Sequence, residues 1–347
     1  MLEKQSSEEF LASIDKGKAV IVSLSPQSRT SIAAVFDTSS SRDLSLIEAC
    51  NEFIARYKQN QSNGDTKRET PLPMLSSACP GWICYAEKTL GSYILPYISS
   101  VKIPQQAIGS IIKRHLCQRM GLRGEQGNFN TKIAEVDSVL TSGEVLELIQ
   151  SKSVDFCSLE ESPLDKLLTN VTEAGNLFGV NGSSGGFAET IFRHAAKALF
   201  GREIKGPVEF KIVRNSDFRE FCLEVDGDAL LKFALCYGFR NLQNIVRKIK
   251  IGKCDYHFLE VMACPSGCLN GSGQIKPQPG QSVKDLIQDL QKVYMENVLE
   301  ADPFENPIAM ELYDEWLEQP GSNKAKQYLH TEYHPVVKNI TSQLHNW

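Results

Sequence analysis

The sequence predicts an α/β protein with mostly parallel sheets, and three stretches carry that expectation. Leu230 to Cys236 and His257 to Met262 are apolar runs of strand length with an amphipathic stretch, Asn241 to Lys250, between them. That strand–helix–strand order is the building unit of a parallel sheet. Ala19-Val20-Ile21-Val22-Ser23-Leu24 is a β-branched run closed by Ser25-Pro26, which reads as a buried strand and a turn. Phe187 to Phe200 has the spacing of an amphipathic helix and follows a glycine loop. At 347 residues the chain exceeds one minimal core and suits one large α/β domain or two lobes.

Taken in order, the strand at Ala19 is followed by a second strand end at Val35-Phe36-Asp37 and a helix from Ser41 to about Lys58. A parallel crossover needs about a dozen or more residues, and only about ten separate these strands. They are therefore antiparallel, or a connecting segment is missing. Gln59 to Thr70 is polar and aperiodic, an exposed loop. Leu72 to Cys79 leads into an unusual turn, Ser76-Ser77-Ala78-Cys79-Pro80-Gly81-Trp82. Pro104 opens a helix that runs through Ile108, Ile111 and Ile112 to about Met120, and Gly121 to Asn130 is a second polar break. Thr141-Ser142-Gly143-Glu144 is a capping signal for another helix. The loop Gly182-Ser183-Ser184-Gly185-Gly186 could cradle an anion with backbone N–H groups. It lacks the Lys-Ser/Thr of a P-loop and the dinucleotide spacing, so tight packing or close approach to a buried cofactor is the preferred reading. After Pro277 to Gln281 the composition changes, and Asp285 to Leu299 and Pro307 to Gln319 read as two surface helices of a smaller appendage.

The hydrophobic share of 41% with 23% charged residues is that of a soluble globular protein. A formal charge of −5 argues against binding nucleic acid through its phosphates. Met1 to Phe10 is polar and acidic, unlike a secretory signal, and no apolar run reaches the roughly 20 residues of a membrane span. A soluble, intracellular protein is expected. In a reducing compartment ten cysteines are buried thiols, metal ligands or reactive groups. Cys50, Cys117, Cys157, Cys222 and Cys236 sit singly in apolar or amphipathic stretches and read as core thiols. Cys79, Cys264 and Cys268 differ, because Pro and Gly surround them in loops.

The chemistry concentrates in Glu260-Val261-Met262-Ala263-Cys264-Pro265-Ser266-Gly267-Cys268-Leu269-Asn270-Gly271-Ser272-Gly273-Gln274, directly after a strand. The C-terminal end of a parallel strand is where α/β proteins place ligands. Thiolates four residues apart can serve one site, and the flanking glycines let backbone N–H groups approach sulfur. The pattern suits a thiolate-ligated iron cluster, and zinc would accept it too.

This segment resembles the last cluster motif of iron-only hydrogenases and their cytosolic relatives. Cys79-Pro80-Gly81-Trp82 resembles the first motif of the same family, with Ser99-Ser100 and Pro104-Gln105-Gln106 downstream. Gly182 to Arg193 resembles the glycine loop and helix that line the cluster cleft. Glu311-Leu312-Tyr313 and Tyr328-Leu329-His330-Thr331-Glu332-Tyr333-His334 resemble the small-subunit-like tail. The likeness runs from about Lys18 onward, and Ser77 to Lys88 is worded most like the branch that serves cytosolic iron–sulfur protein assembly, which includes prelamin-recognition-type relatives. It implies a two-lobed fold around a central cleft: a polar leader over residues 1–17, a large-subunit-like part over 18–280, and a helical small-subunit-like tail over 281–347. It further implies that Cys79, Cys264 and Cys268 are three of four ligands of one internal 4Fe-4S cluster. Pro80, Gly81, Gly185, Gly186, Gly267, Gly271 and Gly273 then line the cluster loops. The implied partners are cytosolic iron–sulfur scaffold proteins and a targeting complex, met through the C-terminal Trp347. The implied location is the cytoplasm, with the nucleus as an additional site.

Departures from the family shape these expectations. The true hydrogenases have, at the position of Ala78, a cysteine that relays protons. Alanine has no exchangeable proton, which speaks against an enzyme. Ser272 replaces a usual glycine. The family's fourth ligand lies in a Met-Pro-Cys motif that is missing here, near Gly121 to Lys132; an N-terminal region with four more cysteines and a helical crossover before Val35 are also missing. Clean loss of whole blocks reads as a shortened splice form or an incomplete gene model. Cys117 and Cys84 are spare thiols near the gap and near Cys79, and both read as core thiols. The competing functions are a redox enzyme of the hydrogenase type and a metal-free binding module. His257 reads as a satisfied core histidine, and His330 with His334 does not read as a metal site.

Overall fold

β-Branched and aromatic runs that alternate between two faces, separated by amphipathic stretches, build most of what the computed structural model describes. It covers residues 21–23, 34–62, 70–119, 134–160, 166–182, 185–225 and 227–336. In chain order the elements are β1 (Ile21–Ser23), β2 (Ala34–Phe36), α1 (Ser39–Ser62), β3 (Met74–Ser76), α2 (Pro80–Tyr85) and α3 (Pro104–Ile111). There follow α4 (Ser142–Ser151), β4 (Leu177–Gly179), α5 (Phe187–Phe200), β5 (Lys211–Asn215), β6 (Phe218–Val225) and β7 (Asp228–Tyr237). The last are α6 (Phe239–Lys250), β8 (Phe258–Met262), α7 (Val283–Asn297), β9 (Val298–Glu300), α8 (Pro307–Leu312) and α9 (Asn323–Leu329). The chain forms two compact units, each assembled from three separate segments.

One unit takes residues 48–101, 184–268 and 330–347 and holds a five-stranded sheet ordered β3-β8-β7-β6-β5. β3, β8 and β7 run parallel, and β6 and β5 add an antiparallel ribbon. The expected strand–helix–strand unit is β7-α6-β8, with Leu235 opposite Glu260 and Tyr237 opposite Met262. Every residue of β8 is buried, as in a strand covered on both faces. Alternation sends Phe233 and Phe258 to one face, where they meet Phe53 of α1 at ring distances of 5.0 and 5.9 Å and Phe192 of α5 meets Phe233 at 5.2 Å. Ala234, Cys236, Leu259 and Val261 face the other way, onto Leu242, Ile245, Val246 and Ile249 of α6 and the fully buried Trp82 of α2.

The other unit takes residues 1–47, 102–183 and 269–329. Its core gathers Leu44 and Ile47 of α1, Ile108 and Ile111 of α3, and Leu312, Trp316 and Leu329 from the C-terminal helices. A buried polar knot sits beside it: Asn170 and Asn306 both donate to Oδ2 of Asp43, at 3.0 and 2.6 Å. Lys102 is buried too, and its ammonium reaches Ser110, the Tyr328 carbonyl and Glu135 at 2.7 to 3.0 Å.

Several expectations need correction. β1 and β2 are parallel, with Ile21 opposite Ala34, so the antiparallel alternative fails; the residues between them lie outside the described ones. α1 starts earlier than expected because Asp37 Oδ1 accepts the Ser39 N–H at 2.6 Å. The helix from Pro104 widens into a π-turn over Ile112–Leu116 and continues to Arg119. The stretch expected as one helix to Leu299 ends at Asn297, and Val298–Glu300 pairs with β4 instead. The helix from Pro307 widens at Tyr313 and stops at Leu317, before Glu318 in a left-handed conformation. The capping signal at Thr141 is present in full, with Thr141 and Glu144 each bonded to the other's backbone N–H.

Candidate metal centre

β3 and β8 are parallel neighbours with Ser76 opposite Glu260, so the chain leaves both strands at the same edge of the sheet. Cys79 follows β3 and Cys264 follows β8 there. Ser77 ties the two exits together: its hydroxyl donates to the Val261 carbonyl at 2.6 Å and accepts the Cys79 N–H at 3.1 Å. Cys79 occupies the N-cap position of α2 and Pro80 its first turn, where a missing N–H costs nothing. A Cβ on Gly81 would lie 3.7 Å from the Cys79 sulfur and 4.0 Å from the Cβ of Ala263, so the first cysteine turn packs against the residue preceding Cys264.

The Cys264–Cys268 loop is held in a bent shape. Ser266 and Gly267 both have positive φ, 59° and 79°, and the Gly267 N–H donates to the Cys264 carbonyl at 3.2 Å. For serine that conformation is strained and persists because neighbours enforce it. One is Asp217, whose Oδ1 accepts the Ser266 N–H at 2.7 Å from the turn between β5 and β6. Another is Gly238, at the start of α6, where an added Cβ would sit 3.6 Å from Pro265.

Charge on Cys79 and Cys264 is felt at Cys268. Cys79 is buried, Cys264 half-buried and Cys268 exposed. The Cys268 thiol is pushed up to about 11, first by the protein packed around the sulfur and then by Cys79, Cys264 and Glu260. Neighbouring thiolates repel, so an iron-bearing group placed among them would relieve the repulsion and displace protons. Among the described residues no three His, Cys, Asp or Glu side chains are placed to hold one metal ion. A polynuclear cluster spreads its thiolate ligands over several irons. Of the spare thiols, Cys84 lies half-buried in α2, and Cys117 packs against the apolar core of the other unit, as a core thiol does.

Beneath the loop lies a network that sequence reasoning missed. Glu260, 1% exposed, accepts the Tyr237 hydroxyl at 2.7 Å and the Ala188 N–H at 2.8 Å, joining β8 to β7 and to the start of α5. Tyr237 is held far above its ordinary range by burial and by Glu260. Gly185 must be glycine, because a Cβ there would lie 2.7 Å from the Tyr237 hydroxyl and 2.8 Å from Glu260. Gly186, with φ of 89°, turns the chain into α5. The glycine loop therefore packs against a buried carboxylate. The only sequence signal was an acid inside the apolar run Phe258-Leu259-Glu260-Val261-Met262. Gly271 and Gly273 belong to the other unit, where the Gly273 carbonyl accepts the Gly143 N–H at 3.0 Å and its α-carbon abuts Thr141. Trp347 lies outside the described residues.

Known proteins resemble this chain in sequence and in fold. Residues 28–272 match the family "Iron only hydrogenase large subunit, C-terminal domain", and residues 290–336 match "Iron hydrogenase small subunit". The chain is 58% identical to Protein NAR1 of Arabidopsis thaliana over 400 aligned positions, covering 100% of this chain and 84% of the relative. It is 41% identical to the cytosolic Fe-S cluster assembly factor narfl of Danio rerio, covering 100% of this chain and 96% of that one. The mouse protein named cytosolic iron-sulfur assembly component 3 is 39% identical over 100% of this chain and 82% of its own length. Among solved structures, one from a study of FeFe-hydrogenase oxygen inactivation superposes with a TM-score of 0.73 at 26% identity, over 88% of this chain and 85% of the other. The FeFe-hydrogenase HydA1 of Chlamydomonas reinhardtii gives 0.71 at 25% identity over the same shares.

Proposed function

Because the chain belongs to the iron-only hydrogenase family, we propose that it is an iron–sulfur protein that acts in cytosolic iron–sulfur cluster assembly and does not make or split hydrogen. The observation that carries this reading is the convergence of the Cys79 and Cys264–Cys268 loops at one end of the sheet, where the Ser77 hydroxyl bonds both the Val261 carbonyl and the Cys79 N–H. The names of the plant, fish and mouse relatives support assembly over hydrogen chemistry. Ala78 supports it too, since an alanine beside Cys79 offers no proton to relay.

Cys79, Cys264 and Cys268 would hold a 4Fe-4S cluster through three thiolates. When bound, such a cluster supplies one-electron redox capacity or a transferable iron–sulfur unit. The rest of the site is structural: Ser77 clamps the two loops together, Asp217 and Gly238 shape the second, and Glu260 with Tyr237 supports it from below. The fourth ligand comes from outside this set. The alignment with the Arabidopsis relative runs over 400 positions against 347 residues here, which supports the reading that internal blocks are missing, the Met-Pro-Cys segment among them. The cluster is then labile. The two family matches support a boundary near residue 280 between the large-subunit-like part and the tail. Cytosolic scaffold and targeting proteins are the partners this reading implies, with Trp347 as a contact.

Anaerobic reconstitution followed by iron and acid-labile sulfide analysis tests the reading, on the parent chain and on Cys79→Ala, Cys264→Ala and Cys268→Ala. Iron and sulfide in the parent, with a cluster spectrum lost in each variant, is the expected result. No iron in a folded parent chain would make this protein a metal-free binding module, and hydrogen evolution would return it to the enzymes.

A further inference from the structure

The outer face of α6 carries cations that form no ion pair among the described residues. Arg240, Arg247 and Lys250 fall on one stripe, and Lys253 follows just past the helix end; all four are exposed. From Phe239 to Cys254 the sequence holds no acid. Among the described residues none of the four is in an ion pair, and the acids near by are engaged elsewhere. Asp255 takes Lys232 at 2.6 Å, Glu220 takes the Tyr256 hydroxyl at 2.7 Å, and Glu87 takes the His334 N–H at 3.0 Å. Such a stripe is unexpected in a chain of formal charge −5.

Its position adds meaning. Phe239 opens the helix, is 40% exposed, and packs edge-on against Tyr85 of α2 at 5.0 Å. Gly238, just before it, abuts Pro265 of the Cys264–Cys268 loop. The stripe thus starts beside the Cys264–Cys268 loop and the end of α2, and runs about 15 Å along the helix at 1.5 Å per residue. Ile251, 56% exposed, closes its far end.

We propose that this face of α6 docks an acidic segment of a partner protein, with an apolar side chain seated on Phe239, and so brings that partner beside the Cys264–Cys268 loop. A protein fits better than the other polyanions. Exposed aromatic and arginine side chains together are the composition of a protein interface. A membrane surface needs an apolar helix face, and that of α6 is spent on the core, where Leu242, Ile245, Val246 and Ile249 are at most 7% exposed. The surface requires no bound cluster, so it stands or falls separately from the function proposed above.

Fluorescence anisotropy of a labelled Glu/Asp-rich peptide carrying one Leu, titrated with the full cluster-free chain at low salt, tests the proposal. The triple variant Arg240→Glu, Arg247→Glu, Lys250→Glu is expected to bind about tenfold more weakly, and Phe239→Ser about threefold. Lys166→Glu, Lys276→Glu, Lys284→Glu makes the same charge change on other exposed lysines and is expected to shift binding by less than about twofold. Arg247→Gln alone, a milder change on the stripe, weakens binding in the same direction. Equal weakening by both triple variants, no binding at all, or tighter binding to a short oligonucleotide or to phosphatidylserine vesicles than to the peptide would overturn it.

Discussion

The Tyr237 hydroxyl donates to Oε1 of Glu260 at 2.7 Å across two adjacent parallel strands, and Oε2 of the same carboxylate accepts the N–H of Ala188 in the first turn of α5. One buried acid thus fixes two strands and a helix directly under the candidate metal loops. Replacing Glu260 by Ala strands both donors in the core, and a loss of about 2–4 kcal/mol in unfolding free energy is expected. Glu260→Gln keeps an acceptor and costs about 1 kcal/mol. Urea titration followed by circular dichroism measures both, and a neutral Glu260→Ala variant would contradict the assigned network.

Gly185 gives the same network a steric test. A methyl group there meets the Tyr237 hydroxyl and the Glu260 carboxylate, so Gly185→Ala is expected to destabilise by about 1–3 kcal/mol. Removing the hydroxyl opens room. Gly185→Ala combined with Tyr237→Phe should therefore cost less than the sum of the single changes, and a double-mutant cycle reads that coupling. Strict additivity would mean that the glycine loop and Tyr237 do not touch.

Arg56 and Glu52 form a second buried pair at 2.6 Å, with Ser99 and Ser100 also on the carboxylate. Burial opposes the charge, but Arg56, Ser99, Ser100 and His330 together hold Glu52 below its ordinary value. A depressed carboxylate stabilises the fold above its unfolded value and loses that contribution as pH falls through the folded one. Arg56→Met leaves the carboxylate buried without its cation and should cost about 3–5 kcal/mol near neutrality. Thermal melts across pH should show the gap to the parent narrowing below about pH 4.5.

Asp43 behaves in the opposite sense. Burial raises it to about 6 even though Asn306 and Asn170 donate to it. A raised carboxylate contributes its stability below the unfolded value of 3.8 and loses it as pH climbs through about 6. Asn at this position accepts from the same two partners without a charge. The stability of the parent relative to Asp43→Asn should therefore fall by about 2.4 kcal/mol between pH 4 and pH 7, at about 1.36 kcal/mol per pKa unit in effect. A pH-independent difference would show that Asp43 stays ionised in the fold.

What the chain wrote plainly were the pieces with one dominant signal. The β7-α6-β8 unit was legible because its apolar runs have strand length and its helix has strong amphipathic spacing, and α5 was legible residue for residue. The Thr141 cap was legible because a capping box is a local motif. β5 and β6 were not: Lys211–Asn215 is exposed throughout and Phe218–Val225 interleaves Arg and Glu, so neither presents an apolar run. The break at Asn297 came from tertiary pairing of Val298–Glu300 with Leu177–Gly179, which no window of neighbouring residues contains. At the candidate centre the cysteines announced themselves through Pro and Gly, whereas Ser77, Asp217 and Tyr237 matter only through partners 20 to nearly 200 positions away.

The segmented make-up of the unit that holds the cysteines has a consequence for the order of events during synthesis. Ser100 waits for the ring of His330, which accepts or donates at 2.8 Å across 230 positions, and Glu87 waits for the His334 N–H across 247. A ribosome delivers residues one after another, so Glu48 to Val101 emerges long before the residues that complete its surroundings. The surroundings of Ser100 and Glu87 stay incomplete until residues 330 to 336 have left the exit tunnel. Until then Ser100 lacks the His330 ring and Glu87 lacks the His334 N–H, so this first segment of the unit is finished last.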